Sequence, residues 1–384
     1  MSLSTTSLPH HPLSGYGWDA GFAAAFAPYA EAGLAPGRIV RVDRGRCDLV
    51  VADARPGPRP ADGADHPGAG VRTVQADTAL VTTGDPLNIM CTGDWAAVDL
   101  DQGYVRALLP RRTAFVRSTS SKRSEGQILA ANVDHAVIAL SLAVELDLGR
   151  VERFLALAWE SGAQPLVVLT KSDLVTDPVT LAHLVADTRT AAPGVEVLAV
   201  SAATGEGVDV LAALLAAGTA VLLGQSGAGK STLANVLLGE EAQTVQAARD
   251  VDGKGRHTTT TRNLLRLPSG GVLIDTPGLR GVGLWDAGSG LAQAFAEIET
   301  LAGECRFQDC AHLQEPGCAV LAAVDDGTLP ERRLDSYRKL ARENERLAAR
   351  TDARLRAEMR REWKQRQALG RHMMERKGRT VRRP

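Results

Sequence analysis

The chain has 384 residues, 44 % apolar and 23 % charged, the proportions of a folded globular protein and not of a disordered or fibrous one; that length predicts two or three domains. A formal charge of −1 excludes a polycation, so contact with nucleic acid would have to come from local clustering of charge. Three of the five cysteines fall close together after residue 300, which suits metal ligation in a reducing compartment and not a disulfide framework. The N-terminus lacks a signal-peptide pattern and no apolar run is long enough to span a bilayer, which predicts a cytoplasmic protein with no membrane partner.

Residues 1–35 are expected to be a mobile arm with one short helix between Asp19 and Ala32. Residues 36–117 read as a small β-domain: short alternating runs such as GRIVRVD and RCDLVVAD, separated by a glycine turn, then VRTVQ, GDWAAVDL and GYVRALL. Five such strands suit an OB-like barrel. A loop of Pro, Gly, Ala and Asp from Arg55 to Gly70 is expected as an exposed insertion. Arg38, Arg41, Arg44, Arg46, Arg106, Arg111, Arg112 and Arg117 are available for nucleic acid. Trp95 fits either a core position or a stacking platform, and the barrel itself fits either nucleic-acid binding or protein docking.

A turn-rich joint at 118–127 leads into alternating strands and helices, residues 118–295, expected as a doubly wound parallel sheet with helices on both faces. Apolar strands are predicted at 133–142, at 165–175, where the strand ends in a polar loop, and at 195–202, with an amphipathic helix over 149–162. The strand at 165 ends in Thr170-Lys171-Ser172-Asp173. A carboxylate there accepts from guanine N1–H and the 2-amino group, a donor pair that adenine lacks and that would leave the carboxylate unpaired. Ser201-Ala202, ending the next strand, fits a backbone contact to guanine O6.

The stretch TAVLLGQSGAGKSTLANVLLG reads as a buried strand, a glycine turn and a helix. Gly224, Gln225, Ser226, Gly227, Ala228, Gly229, Lys230, Ser231 and Thr232 match a phosphate loop. The glycines let successive amides converge on one point, the helix aims its positive end there, Lys230 reaches the β- and γ-phosphates, and Ser231 ligates Mg2+. Downstream, the strand GVLID ends in Asp275-Thr276-Pro277-Gly278. Asp275 there can hold Mg2+ and the Gly278 amide can meet a γ-phosphate. The guanine motifs precede the phosphate loop, the reverse of the ordinary GTPase order.

Cys305, Cys310, His312 and Cys318 are four soft or borderline ligands within one short segment, which fits one structural Zn2+ with no open position. From Arg332 the chain is helical in composition and rich in Arg and Lys. That end suits either phosphate contacts on folded RNA or a solvated helix followed by disorder.

In motif and order the chain resembles the RsgA (YjeQ) family of circularly permuted GTPases, which act in late assembly of the small ribosomal subunit. The family has guanine motifs, then GxSGxGKS, a Gly-[Arg/Lys]-His-Thr-Thr-Thr segment, DTPG, and a Cys-x4-Cys-x-His-x5-Cys cluster. This chain carries GQSGAGKS, Gly255-Arg256-His257-Thr258-Thr259-Thr260, LIDTPG and that cluster, and the likeness runs over 36–345. Thr170 departs from the Asn common in the family; its hydroxyl can still brace the loop. The resemblance implies an OB-like barrel, a permuted P-loop domain and a zinc-binding helical domain with a basic tail, 296–384. It implies a monomeric GTP hydrolase that binds GTP and GDP, uses Mg2+, and engages the 30S subunit and its rRNA, with subunit-stimulated hydrolysis driving release. It puts the switch on 257–261, with Thr258 or Thr259 as the γ-phosphate sensor and His257 as either a water-positioning group or a bystander. Leu279 follows DTPG and cannot orient water, so unassisted turnover is expected to be slow. Two other functions fit the same residues: a nucleotide-gated RNA-binding module with incidental turnover, and a GTPase regulating a non-ribosomal complex.

Overall fold

The computed structural model describes residues 11–53, 70–85, 87–118, 126–239, 262–275 and 288–351. The expected insertion at 55–70, apart from Gly70, lies outside them, as do the run His257–Thr261 and the tail beyond 351.

Five strands, β1 (Ala35–Asp43), β2 (Arg46–Ala52), β3 (Val71–Asp77), β4 (Trp95–Asp99) and β5 (Tyr104–Leu108), close into a barrel in the order β1-β2-β3-β5-β4. Ile39, Leu49, Val51, Ala76, Ala96, Val98 and Val105 fill its interior. In β4 the intervening residues Trp95 and Ala97 are buried too, because the outer face is covered. The cover is helix α1 (Ala20–Glu31) and the turn before it. Trp18, Phe22 and Phe26, four residues apart, form one apolar stripe that packs on Trp95, with ring centroids 4.8 Å from Trp18 and 5.5 Å from Phe22. Asp19 caps the helix, accepting from Gly21 N and Phe22 N, a device that contributes about 1 kcal/mol. The expected mobile arm is therefore docked from residue 11 onward, and Trp95, 0 % exposed, is a core residue and not a stacking platform.

The barrel closes at β5, earlier than the expected boundary near 117. Strands β6 (Ala114–Ser118) and β7 (Gly126–Ala131) form a separate two-stranded sheet among the described residues, and Phe115 joins the core of the following domain. The expected boundary thus falls inside a two-stranded ribbon, and part of the expected joint is strand.

A six-stranded sheet follows in the order β10-β9-β8-β11-β13-β12. Its parallel members are β8 (His135–Ser141), β9 (Gln164–Thr170), β10 (Glu196–Val200), β11 (Thr219–Leu223) and β13 (Val272–Asp275); β12 (Asn263–Arg266) runs antiparallel at one edge. One face is covered by α4 (Val208–Leu214) and a helix over 230–239, here α5, through Leu211, Leu233 and Leu237. The other carries α2 (Leu148–Glu160), whose Phe154 and Leu155 share a core with residues from the C-terminal segment. The chain is doubly wound, as the alternation predicts. Helix α3 (Pro178–Ala191) has no clear apolar stripe to announce it; it starts where Asp177 caps the first turn and Pro178 sets its first residue.

Beyond the sheet come two short helices, α6 (Gly288–Ala294) and α7 (Ala296–Ala302), separated at Phe295. Phe295 is fully buried beneath the Arg333 guanidinium, 4.2 Å from its ring centre. Helices α8 (Ala319–Asp325) and α9 (Glu331–Thr351) complete the described chain. Ile298, Val320, Leu334 and Leu340 belong to the same core as α2, so the C-terminal part is built onto the sheet domain. No helix among the described residues is long and apolar enough to cross a membrane.

Candidate nucleotide and metal sites

The phosphate-loop segment leaves β11 at the C-terminal edge of the parallel strands, where an open α/β sheet presents its crevice. Gly224, φ 139°, turns the chain there, and a Cβ on it would collide with the Ala139 carbonyl. Gly227 and Gly229, both φ 81°, continue the left-handed course that points amides inward. Ala228 is buried, while Gln225, Ser226, Ser231 and Thr232 are exposed. The Lys230 ammonium donates to the carbonyls of Gly224 and Gln225, 2.6 Å each, and so lies folded over its own loop.

The guanine-motif residues are fastened to this loop. Thr170 Oγ1, 5 % exposed, lies 2.8 Å from Ala228 O and 3.2 Å from Leu140 O. Lys171, left-handed at φ 60°, donates from Nζ to Gly227 O at 3.0 Å. A hydroxyl in place of the family's carboxamide therefore still ties the end of β9 to the phosphate loop. Asp173 Oδ1 accepts from the fully buried Ser201 hydroxyl at 2.6 Å. Thr204 N donates to the same hydroxyl at 3.2 Å. Ser201 therefore orients the Asp173 carboxylate, a side-chain role beyond the backbone contact that the Ser201-Ala202 pair suggests in sequence.

Asp275 ends β13 and pairs in register with Asn263. Burial pushes its carboxyl above the ordinary value, and a divalent cation beside it would reverse that by favouring the charged form. Gly278, His257 and Thr259 lie outside the described residues.

The four candidate metal ligands, Cys305, Cys310, His312 and Cys318, have ligand atoms all within 4.8 Å of one another. Cys305 Sγ is 3.8 Å from Cys318 Sγ and 3.6 Å from His312 Nδ1, and His312 Nδ1 is 3.4 Å from Cys318 Sγ. Tetrahedral Zn2+ with ~2.3 Å S and ~2.0 Å N bonds needs edges of about 3.8 Å for S···S and about 3.5 Å for S···N. The donor set and its spacing fit such an ion. His312 is left-handed, φ 56°. Its turn is held by Glu315, whose carboxylate accepts from Ala311 N, Leu313 N and Gln314 N at 3.2, 2.7 and 3.0 Å. Nearby backbone N–H groups, that of Glu315 itself first among them, pull this carboxyl down to about 2. Arg338 of α9 donates to the His312 carbonyl. Sequence reasoning missed Glu315, for which a Glu just before the Pro316-Gly317 turn was the available signal, and counted Arg338 only among the basic residues of the C-terminal helix.

Four of the barrel arginines are engaged with acids. Arg111 meets Asp94, Arg112 meets Asp19, Arg106 meets Asp99 and Arg41 meets Asp43. Arg38, 1 % exposed, donates to Tyr16 O, Asn132 O and Thr219 Oγ1, joining barrel to sheet. Arg44 and Arg46 remain exposed around the β1–β2 turn.

A model of the family described as RsgA GTPase matches residues 108–285. The chain is 69 % identical over 379 residues to a Streptomyces coelicolor protein named small ribosomal subunit biogenesis GTPase RsgA, covering 98 % of this chain and 99 % of the relative. A protein of the same name from Opitutus terrae is 42 % identical, over 92 % and 95 % of the two chains. Among solved structures, YjeQ from Thermotoga maritima superposes with a TM-score of 0.58 at 23 % identity, over 81 % of this chain and 98 % of that one. YloQ, described as a circularly permuted GTPase, gives 0.57 at 24 %, over 82 % and 96 %. These two likenesses concern the fold, and they agree with guanine-motif strands β9 and β10 preceding β11 in the chain. With relatives so similar over nearly its whole length, the chain belongs to the RsgA GTPase family.

Proposed function

We propose that this chain hydrolyses GTP to GDP and phosphate in the cytoplasm and assists late maturation of the small ribosomal subunit, binding it and its rRNA with GTP bound and leaving after subunit-stimulated hydrolysis. The near full-length likeness to relatives named for small-subunit biogenesis carries this reading. The linkage of the guanine motif to the phosphate loop through Thr170 and Lys171 supports it. Asp173, held by Ser201, reads guanine with Thr170, Lys171 and the Ser201-Ala202 turn. Residues 224–232 cradle the phosphates. Ser231 and Asp275 hold Mg2+, which when bound neutralises phosphate charge. Lys230 meets the transferring phosphoryl group, and Gly278 and Thr259 sense the γ-phosphate. Leu279 cannot orient the attacking water, so His257 or the subunit completes the site. The test is GTP turnover with 30S, 50S and 70S particles and bare rRNA in turn: strong stimulation by 30S alone is expected, and stimulation by 50S alone would overturn the ribosomal assignment.

Asp173→Asn should lose guanine preference, because an amide cannot accept both donors. By calorimetry the wild type should favour GDP over ADP by about 10²-fold or more, and the variant should narrow that gap; equal discrimination in both proteins would remove Asp173 from base recognition.

Cys305, Cys310, His312 and Cys318 are assigned to one structural Zn2+. Elemental analysis after dialysis should find one zinc per chain, and Cys310→Ala should release it and loosen the segment, since ligand binding is coupled to local folding. Full zinc content in that variant would show the ligand set to be wrong.

A further inference from the structure

We propose that the barrel loop 91–94 couples the barrel to the γ-phosphate side of the nucleotide site, with Thr92 as its positioning residue. This rests on the GTPase reading above and adds the route by which a partner on the barrel reaches that site.

The loop is a rigid part of the barrel. Gly93 N donates to Ile39 O at 2.9 Å, and Ile39 N donates to Asp94 O at 2.8 Å. Asp94, 0 % exposed, accepts from Cys91 N and takes both Nε and Nη2 of Arg111, at 2.6 and 2.7 Å. A buried, bidentate charge pair of this kind holds its geometry. When the barrel moves, loop 91–94 moves with it.

The other side of the loop lies on the sheet. Thr92, 3 % exposed, donates from Oγ1 to Arg262 O at 3.1 Å. Its own carbonyl accepts from Ala131 N at 3.2 Å, and Gly93 O accepts from Asn132 Nδ2 at 3.1 Å. Gly93 is left-handed at φ 95°, and a Cβ there would collide with the Ala131 carbonyl and sit 3.1 Å from Ile274 Cδ1. Only glycine lets the loop come this close.

The residues so gripped flank Asp275, the candidate Mg2+ ligand. Arg262 immediately precedes Asn263, the in-register partner of Asp275, and Ile274 immediately precedes Asp275. Arg262 also directly follows the run Thr258 to Thr261 in sequence. At the far end of β12, the Arg266 guanidinium lies over the Tyr16 ring, 5.7 Å from its centre. The edge strand is thus held at both ends by the N-terminal module. A shift of β12 along β13 must either carry the barrel loop with it or break the Thr92–Arg262 bond. Such coupling is reciprocal: what binds the barrel biases the strand end beside Asp275, and what changes at the γ-phosphate biases the barrel.

The test uses the full-length chain as wild type, Thr92→Val, which keeps the shape and removes the hydroxyl, and Thr92→Ser, which keeps the hydroxyl. Thermal unfolding should show all three folded, and GDP affinity should agree within about twofold, as expected for a change outside the nucleotide contacts. Stimulation by 30S particles should fall about tenfold in Thr92→Val, within the usual range of coupling between sites, and return in Thr92→Ser. Full stimulation of Thr92→Val overturns the proposal. A readout independent of ribosomes is hydrogen exchange of barrel amides with GDP and with a non-hydrolysable GTP analogue. The difference between the two ligands should be present in wild type and Thr92→Ser and lost in Thr92→Val; its persistence in Thr92→Val, or its absence in wild type, also overturns the coupling. A wild type that binds both nucleotides but ignores 30S counts against the ribosomal reading alone, and the exchange comparison still decides the coupling.

Discussion

Lys230→Ala is expected to lower both basal and stimulated GTP turnover by about 10³-fold or more, the scale of a lost charge aimed at the transferring phosphoryl group. The ammonium sits 2.6 Å from each of two loop carbonyls, Gly224 O and Gln225 O. It is therefore held against the loop that would cradle the phosphates. The same contacts mean that the substitution removes a brace of the loop, so GDP binding should weaken as well. Turnover should fall further than binding, because the charge on the transferring group matters most in the transition state. Single-turnover kinetics at saturating GTP separates the two. A variant that keeps turnover within tenfold of wild type would place Lys230 away from the reacting phosphate.

The parts of the site legible in sequence are those set by local spacing. The phosphate loop, the Thr170–Asp173 motif and the cysteine cluster each depend on residues a few positions apart, and each set is gathered where the structure can use it. The parallel sheet was legible for a related reason: strands buried on both faces, such as β8 and β11, are continuous apolar runs. What stayed hidden depends on partners far along the chain. Asp19 and Arg112 are 93 residues apart, and Arg153 and Glu343 are 190 apart. No periodicity in the N-terminal stretch says that Trp18 and Phe22 will cover Trp95, so the docked segment read as an arm. Composition likewise does not reveal the acids opposite Arg41, Arg106, Arg111 and Arg112. Phe295 was hidden likewise: its apolar neighbours continue a helical pattern, but its backbone leaves the helix there, and its ring lies beneath Arg333.

Glu152→Ala should destabilise the protein by about 3–5 kcal/mol, the cost of leaving a buried charge without its partner. Glu152 on α2 is 0 % exposed and Arg333 on α9 is 3 % exposed. Arg333 Nη1 lies 2.8 Å from Glu152 Oε1 and 3.1 Å from Ala191 O, Nε donates to Glu297 at 2.6 Å, and Nη2 donates to Ala294 O. Arg332 adds a second cation at 2.9 Å from Glu152. Without Glu152, Arg333 keeps the partly exposed Glu297 as its counter-charge among the described residues, and α9 loses a principal tie to α2. Among the described residues Glu152 Oε2 has no hydrogen-bond partner, so the pair is not fully compensated for its desolvation. That argues for register more than for net stability: the ions fix where α9 lies on α2 while contributing little over an apolar contact of the same size. The double replacement of Glu152 and Arg333 by Met should therefore recover much of what either single change loses. A urea-unfolding cycle of the four proteins, with exchange of α9 amides as the local readout, measures the coupling directly. Additive losses, or a Glu152→Ala cost below about 1 kcal/mol, would mean that the apolar core shared by Phe154, Leu334 and Leu340 holds the C-terminal helices in place by itself.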